Sequence, residues 1–415
     1  MIYNIKEHGA VGDGKQINTK AIQLAIDTVA ASGGGTVFIS DGIYKTGTIE
    51  LKSNVELHLA SDGVLLGSEN VEDYPERENV KHVDTRNLPR NRNACMIYAD
   101  ECKNIAITGS GKIDCNGTSF VMKKGGEPGA WEGWEYVRID APTPPRVVFF
   151  AGCQNVKIED VTMVNQPSGW SYWIHDCDYV TFDKCKILAE VQYPNNDGIH
   201  INSSRNVTIS NCMITSGDDC IVVRANNASL KENKVCEKVT VINCNLTSYS
   251  SGIRIAWMSD GVIRNCTFSN IVITDTTIGI SLFLPEYCDR TQTPDQGRED
   301  TLIEHLSFNN IMMDAIYGPP IKIFIGQTPE TRCNAIRNVF FSNVRSRGLE
   351  FPYLKGKSDC KLKNISFTDC SFEKVNDNEL PDYQQHGAAA WDRSEGVQMI
   401  TNAENVVFSN TSFSY

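Results

Sequence analysis

The chain repeats itself, and that bounds the folds open to it. From about residue 99 a polar turn, often containing Asn, leads into an alternating strand, then a second polar turn and a further short strand. Examples are CKNIAITGS, CQNVKIEDV, CDYVTFDKC, SRNVTISNC, CEKVTVINC, IRNVFFSNV and AENVVFSNT. Equivalent valines stand 24 residues apart from Val156 to Val180, 27 from Val180 to Val207 and 32 from Val207 to Val239. One such unit cannot bury its apolar face alone, so successive units must stack into a solenoid. The strands are rich in Val and Ile and alternate only in part, which fits parallel sheets. The expected fold is therefore all-β, a parallel β-helix forming one domain over residues 1–415. The Asn before many strands suits a sharp turn: it tolerates left-handed backbone and can form a side-chain ladder.

Only one helix is expected, Thr19 to Ala31. Ala21, Ile22, Leu24, Ala25, Ile26 and Val29 are apolar at helical spacing, Asn18 or Thr19 can cap the start, and Gly33-Gly34-Gly35 ends it. It would cap the open N-terminal end of the coil, as part of a cap of about residues 1–50, and shield edge strands from pairing with other chains. Insertions at 70–93, 116–145, 285–300 and 376–397 read as loops, since the repeat resumes after each. The second holds Trp131, Trp134 and Tyr136, which either pack the loop down or wall a sugar site.

Composition excludes several roles. A formal charge of −12 without a long run of one sign argues against nucleic-acid binding. A polyanionic substrate would need locally placed arginines against that background. The 15 cysteines show no CxxC spacing, so zinc is not expected, nor any other cofactor. They sit beside strands as small inward-facing residues, and free thiols in this number suit a reducing compartment. MIYNIKEHGAVGDGK has no apolar signal core and no run of 18 apolar residues occurs. No membrane partner is expected, and the expected location is cytoplasmic unless a leader has been removed.

The chemistry concentrates in YPNNDGIHINSSRNVTISNCMITSGDDCIVVR, residues 193–224. Asp197 and Asp218 are separated by one strand–turn–strand–turn unit, which is one coil. Asp197, Asp218 and Asp219 should then stack on one face. Clustered carboxylates on a rigid sheet are what glycoside hydrolysis requires: one protonates the leaving oxygen and another activates water.

The chain resembles glycoside hydrolase family 28, the polygalacturonases, over nearly its whole length. The resemblance is carried by GAVGDGK, NTKAIQLAID, GGGTV and LKSNVELHLASDGVLLGS, then by PRVVFFAGCQNVKIEDV, WSYWIH, an N-x-D-G at Asn195–Gly198 and GDDCI at 217–221. It implies a right-handed parallel β-helix, catalytic coils at about residues 150–285, and inverting hydrolysis of pectin-type chains by single displacement. Asp197, Asp218 and Asp219 match the family's acidic residues. The resemblance leaves the general acid open between Asp218 and Asp219, with a lean to Asp219. Inversion requires room for a water, with acid and base roughly 6.5–9.5 Å apart.

The chain also departs from the family. Asn196 replaces a Thr, and His200 stands where an Asp is usual. Ser250–Ile255 lacks the family's His, and Ile278–Phe283 lacks its Arg-Ile-Lys. Specificity altered from that of an ordinary polygalacturonase is expected. Asn196, His200, Arg224 and Arg254 are candidate substrate contacts, with Trp170, Trp173, Tyr249 and Trp257 as subsite walls. Each has a plainer alternative: a salt bridge supporting the aspartates for the arginines, a structural hydrogen bond for His200, ordinary packing for the aromatics. His175 is expected to be structural. Two rival readings remain on the same residues: a β-helix lyase or epimerase using Ca²⁺ and an arginine base, and a glycan-binding β-helix without catalysis.

Overall fold

The computed structural model describes residues 2–123, 135–139, 143–167, 169–286, 300–381 and 400–415. Trp131, Trp134 and Cys288 lie outside them. The repeat units are parallel strands. Val156, Val180, Val207 and Val239 are register partners on consecutive strands, so the spacing counted in the sequence is the length of a coil. A one-residue slip would turn every inward Val and Ile to solvent, which pins this register.

Two parallel sheets carry the coil, one of 23 strands and one of 11. Six consecutive strands of the smaller sheet matter below: β1 (Trp170–His175), β2 (Ile199–Asn202), β3 (Ile221–Arg224), β4 (Ser251–Ile255), β5 (Ile278–Leu284) and β6 (Ile321–Ile325). The fold is a right-handed parallel β-helix, the hand that parallel crossovers take almost without exception.

The single α-helix among the described residues, α1 (Thr19–Ala31), buries Ile22, Ala25, Ile26 and Val29 over the end of the coil. Leu24 faces solvent instead. Asn18 occupies the N-cap, but its side chain makes no cap bond. It ties down the preceding loop through Val11 and Gln16.

Turns are held by the expected ladder. Asn211, Asn243, Asn270, Asn310 and Asn343 all have left-handed backbone. From Asn243 onward each amide donates to the Asn one coil before it, at 2.7–3.3 Å. Inside the coil, Phe268, Phe308, Phe341, Phe367 and Phe408 stack at 4.7–4.9 Å between centroids. The described cysteines are free thiols, and all but Cys333 are buried.

Candidate active site

Two glycines bring the aspartates together. A Cβ on Gly198 would lie 2.3 Å from the Cys220 carbonyl oxygen, and one on Gly217 would lie 2.3 Å from that of Tyr193. Only glycine permits these approaches, which draw the Asn195–Gly198 turn onto the Gly217–Asp219 turn. Asn196 then joins the two turns. Its amide donates to Glu190 O at 2.6 Å and accepts from Gly217 N at 2.6 Å. It is fully buried, so the expectation that Asn196 touches substrate gives way to a role in the scaffold.

Carboxylate oxygens of Asp197, Asp218 and Asp219 all lie within 4.8 Å of one another. That is closer than the separation expected for an acid and base with a water between them. The three have different partners. Asp219 is buried, and both its oxygens are engaged: one accepts from Ser250 Oγ at 3.0 Å and Ser251 N at 3.1 Å, and the other pairs with Arg254 Nε at 2.7 Å. Asp218 is partly exposed and accepts from Asn195 Nδ2 at 2.9 Å and from Asp219 N at 3.1 Å. Asp197 is buried; its Oδ2 lies 2.8 Å from His200 Nε2, and its Oδ1 has no hydrogen-bond partner among the described residues.

Crowding three carboxylates raises the cost of ionising them. Desolvation, then the charge of Asp219, pushes Asp197 well above the usual carboxylate range, with Arg254 and Arg90 opposing. Desolvation, then Asp197 and Asp219, pushes Asp218 up in the same way. His200 goes the other way: burial, then Arg224, hold its imidazole well below its ordinary value, so it is neutral.

The arginines divide. Arg254 neutralises Asp219 and lies 4.7 Å from the Trp257 ring centroid. Arg224 points to a residue that no motif in the sequence marks, Asp260. Its guanidinium makes a two-pronged bond there, at 3.0 and 2.7 Å, and Asp260 also accepts from Trp257 N at 3.1 Å. Arg224 is thus neither a substrate clamp nor a brace on the aspartates; it braces the turn that carries Trp257. Of the four aromatics, Trp173 and Tyr249 are sealed off at 0% and 1% exposure and cannot face a sugar. Trp170 stacks on Trp173 at 4.5 Å, and Trp257 is partly exposed. His175 is structural as expected, bonded to Ser229 Oγ at 2.9 Å and to Asn202.

Residues not anticipated from the sequence also reach the site. Arg90, from the first insertion, lies 4.8 Å from the Trp170 ring. Buried Arg146 delivers it by donating to the carbonyls of Arg92 and Pro89. Arg138, from the second insertion, donates to Asn195 Oδ1 at 3.4 Å. On the other side, register aligns Arg254 with Ser281 and Ser281 with Lys322. The Lys322 ammonium lies 4.8 Å from the Phe283 ring. The positive charge absent from β5 thus reappears one coil later, on β6. Insertions carrying Arg hinted at the first two; only register reveals Lys322.

Comparison with known proteins agrees with this architecture. Residues 78–236 match the model of "Glycosyl hydrolases family 28". The chain is 27% identical over 288 residues to a probable polygalacturonase of Vitis vinifera, covering 67% of this chain and 56% of that protein. It is 26% identical over 317 residues to an exo-poly-alpha-D-galacturonosidase of Dickeya chrysanthemi, covering 67% and 51%. The chain thus spans about half the length of these curated relatives. Among solved structures, an exopolygalacturonase from Thermotoga maritima superposes with a TM-score of 0.70 at 19% identity, over 99% of this chain and 92% of that one. The chain is thus similar to glycosyl hydrolases family 28 through residues 78–236, and to polygalacturonases at under 30% identity.

Proposed function

We propose that the protein hydrolyses glycosidic bonds in pectin-related, acidic oligo- or polysaccharides. The observation that carries this reading is the aspartate cluster, in which the three carboxylates have unequal surroundings. Asp218, partly exposed and favoured in its protonated form, is the general acid. Asp219 has one oxygen on Arg254 and the other on Ser250 and Ser251, so neither is turned toward a leaving oxygen, which reverses the lean drawn from resemblance. Asp197 is the base, and its unpartnered Oδ1 takes the proton from water, with Asp219 helping to hold that water.

Arg254 and Lys322, with Trp257 and Phe283 beside them, supply cationic and aromatic surface for an acidic sugar. Because these stand in place of the family's usual groups, specificity differs from that of an ordinary polygalacturonase. Arg90 and Arg138 crowd the Trp170 side of the aspartates and favour attack at chain ends. The Dickeya and Thermotoga relatives are likewise named as exo-acting. The ion pair of Arg254 with Asp219 counts against the calcium-dependent lyase reading, because a cation bound by the triad would lie against that guanidinium.

Similarity to the family supports inversion, whereas carboxylates this close are nearer the roughly 5–5.5 Å of double-displacement enzymes. We assign inversion, with the water beside Asp197 and Asp219 rather than between opposed groups. The test is a panel of pectic oligosaccharides followed by proton NMR of the first product. The wild type should release the inverted anomer, and Asp218→Asn should lower kcat by about 10²–10⁴-fold. A retained anomer would reassign Asp197 as a nucleophile. Undiminished turnover by Asp218→Asn, or an unsaturated product absorbing in the ultraviolet, would overturn the reading.

A further inference from the structure

We infer that His200 is a positioning residue whose Nε2–H donates to Asp197 Oδ2, which favours ionisation of Asp197 against the crowding that opposes it and turns Oδ1 of Asp197 toward the reacting water. The inference rests on the proposed hydrolysis and gives a job to a residue that it leaves without one.

The geometry leaves His200 little choice. Its ring is 4% exposed and packs against Trp173 and Trp170, with centroids 5.1 Å away in each case. Nε2 lies 2.8 Å from Asp197 Oδ2, while Nδ1 is buried with no hydrogen-bond partner among the described residues. A neutral imidazole carries one proton. On Nδ1 that proton would be stranded in an apolar pocket, and Nε2 would turn a lone pair toward a carboxylate oxygen. On Nε2 it makes a bond to a charged acceptor. Burial is the main reason the ring stays neutral; Arg224, Arg254 and Arg146 also disfavour a second proton, against Asp219 and the adjoining Asp197, which favour it.

Asp197 gains in two ways. It is faced by Asp218 and Asp219, which disfavour its ionisation, and by Arg254 and Arg90, which favour it. A hydrogen bond to the charged form adds to the second side. Because His200 follows Asp197 by three residues and is fixed in β2 beside Trp173, the bond also fixes the carboxylate's rotation. One oxygen is taken by the imidazole and the other is left bare. A base that is correctly turned before substrate arrives needs no rearrangement during reaction.

Two variants and one spectroscopic arm test this. His200→Leu removes the donor and keeps an apolar side chain against the tryptophans. His200→Gln offers an amide N–H near the position of Nε2. His200→Leu should lower kcat about 10–100-fold with KM within about two-fold, and should move the acidic limb of the kcat/KM profile to higher pH. His200→Gln should return most of the rate and the original limb. An unmoved limb in His200→Leu would overturn the proposal, as would a loss confined to KM. Nitrogen-15 NMR of the full-length protein, labelled at histidine, needs no substrate. It should find His200 as the neutral Nε2–H tautomer from pH 5 to 8, changed by Asp197→Asn. An imidazolium or an Nδ1–H tautomer would overturn the proposal. If the wild type cleaves nothing on the panel, the functional reading fails, and the NMR arm still decides the hydrogen bond.

Discussion

The phenylalanine stack and the aspartate groove are built by the same coils, yet they obey different rules. In the stack, Phe268, Phe308, Phe341, Phe367 and Phe408 repeat one solution five times, each ring lying on the one before. In the groove no position repeats. Register neighbours on the smaller sheet run Trp173, His200, Val222, Arg254, Ser281, Lys322, with a different chemistry at each step. The stack is stable because its members are alike. The groove is tolerated because many of its buried polar groups have particular partners, so one deletion leaves something stranded. A solenoid tolerates this well, since each coil contacts only its neighbours and a costly coil can be carried by the regular ones.

The difference predicts unequal consequences of mutation. The largest should come from Arg224→Met. It leaves Asp260, with 0% exposure, as a buried charge without its guanidinium, though still bonded to backbone amides. Breaking a buried pair from one side costs about 3–5 kcal/mol, and denaturant unfolding should register a loss of that size. Because Asp260 also positions Trp257 N, activity should fall even at temperatures where the variant is folded. Removing both members, as Arg224→Met with Asp260→Leu, should return part of the stability without the activity. If Arg224→Met alone is as stable as wild type, the groove is not the brittle region.

Phe308→Leu is the matched change in the stack. It should cost about 1–2 kcal/mol, in the range for a core substitution that loses volume and ring contact, and should leave kcat and KM unchanged. The contrast also explains what the sequence could disclose. The coil length was legible because Val156, Val180, Val207 and Val239 face the same interior and must therefore be alike. The ladder was legible because left-handed turn backbone selects Asn. The aspartates were legible as a cluster because one coil separates them and the glycines beside them are sterically required. Their division of labour was not. It depends on Ser250, Arg254, Asn195 and His200, whose partners come from different coils or from rotamers that no local pattern encodes. Arg224 was misjudged for the same reason: its partner is 36 residues downstream, in a turn with no motif. Arg90 and Arg138 were missed because insertions follow no repeat.

The smallest effect is also the one with opposite sign. Asp218 and Asp197 have carboxyl groups raised in the folded chain, so between the unfolded and folded values the native state binds more protons than the unfolded state. By linkage, stability then falls as pH rises through that window, and the penalty is fully present above it. The ion pairs around the site titrate in the other direction, which makes the wild-type profile alone ambiguous. Comparison with Asp218→Asn removes the ambiguity. The variant should melt above wild type at pH 7, by about 1–3 °C on the scale of ~1 kcal/mol for a chain of this size, and the gap should close as pH falls toward 4. The neutral amide would then stabilise the fold while removing the catalytic proton. A gap that is constant with pH would mean that the crowding of the three carboxylates carries no energetic strain. The groove would then differ from the phenylalanine stack in chemistry only, and not in the stability it gives up.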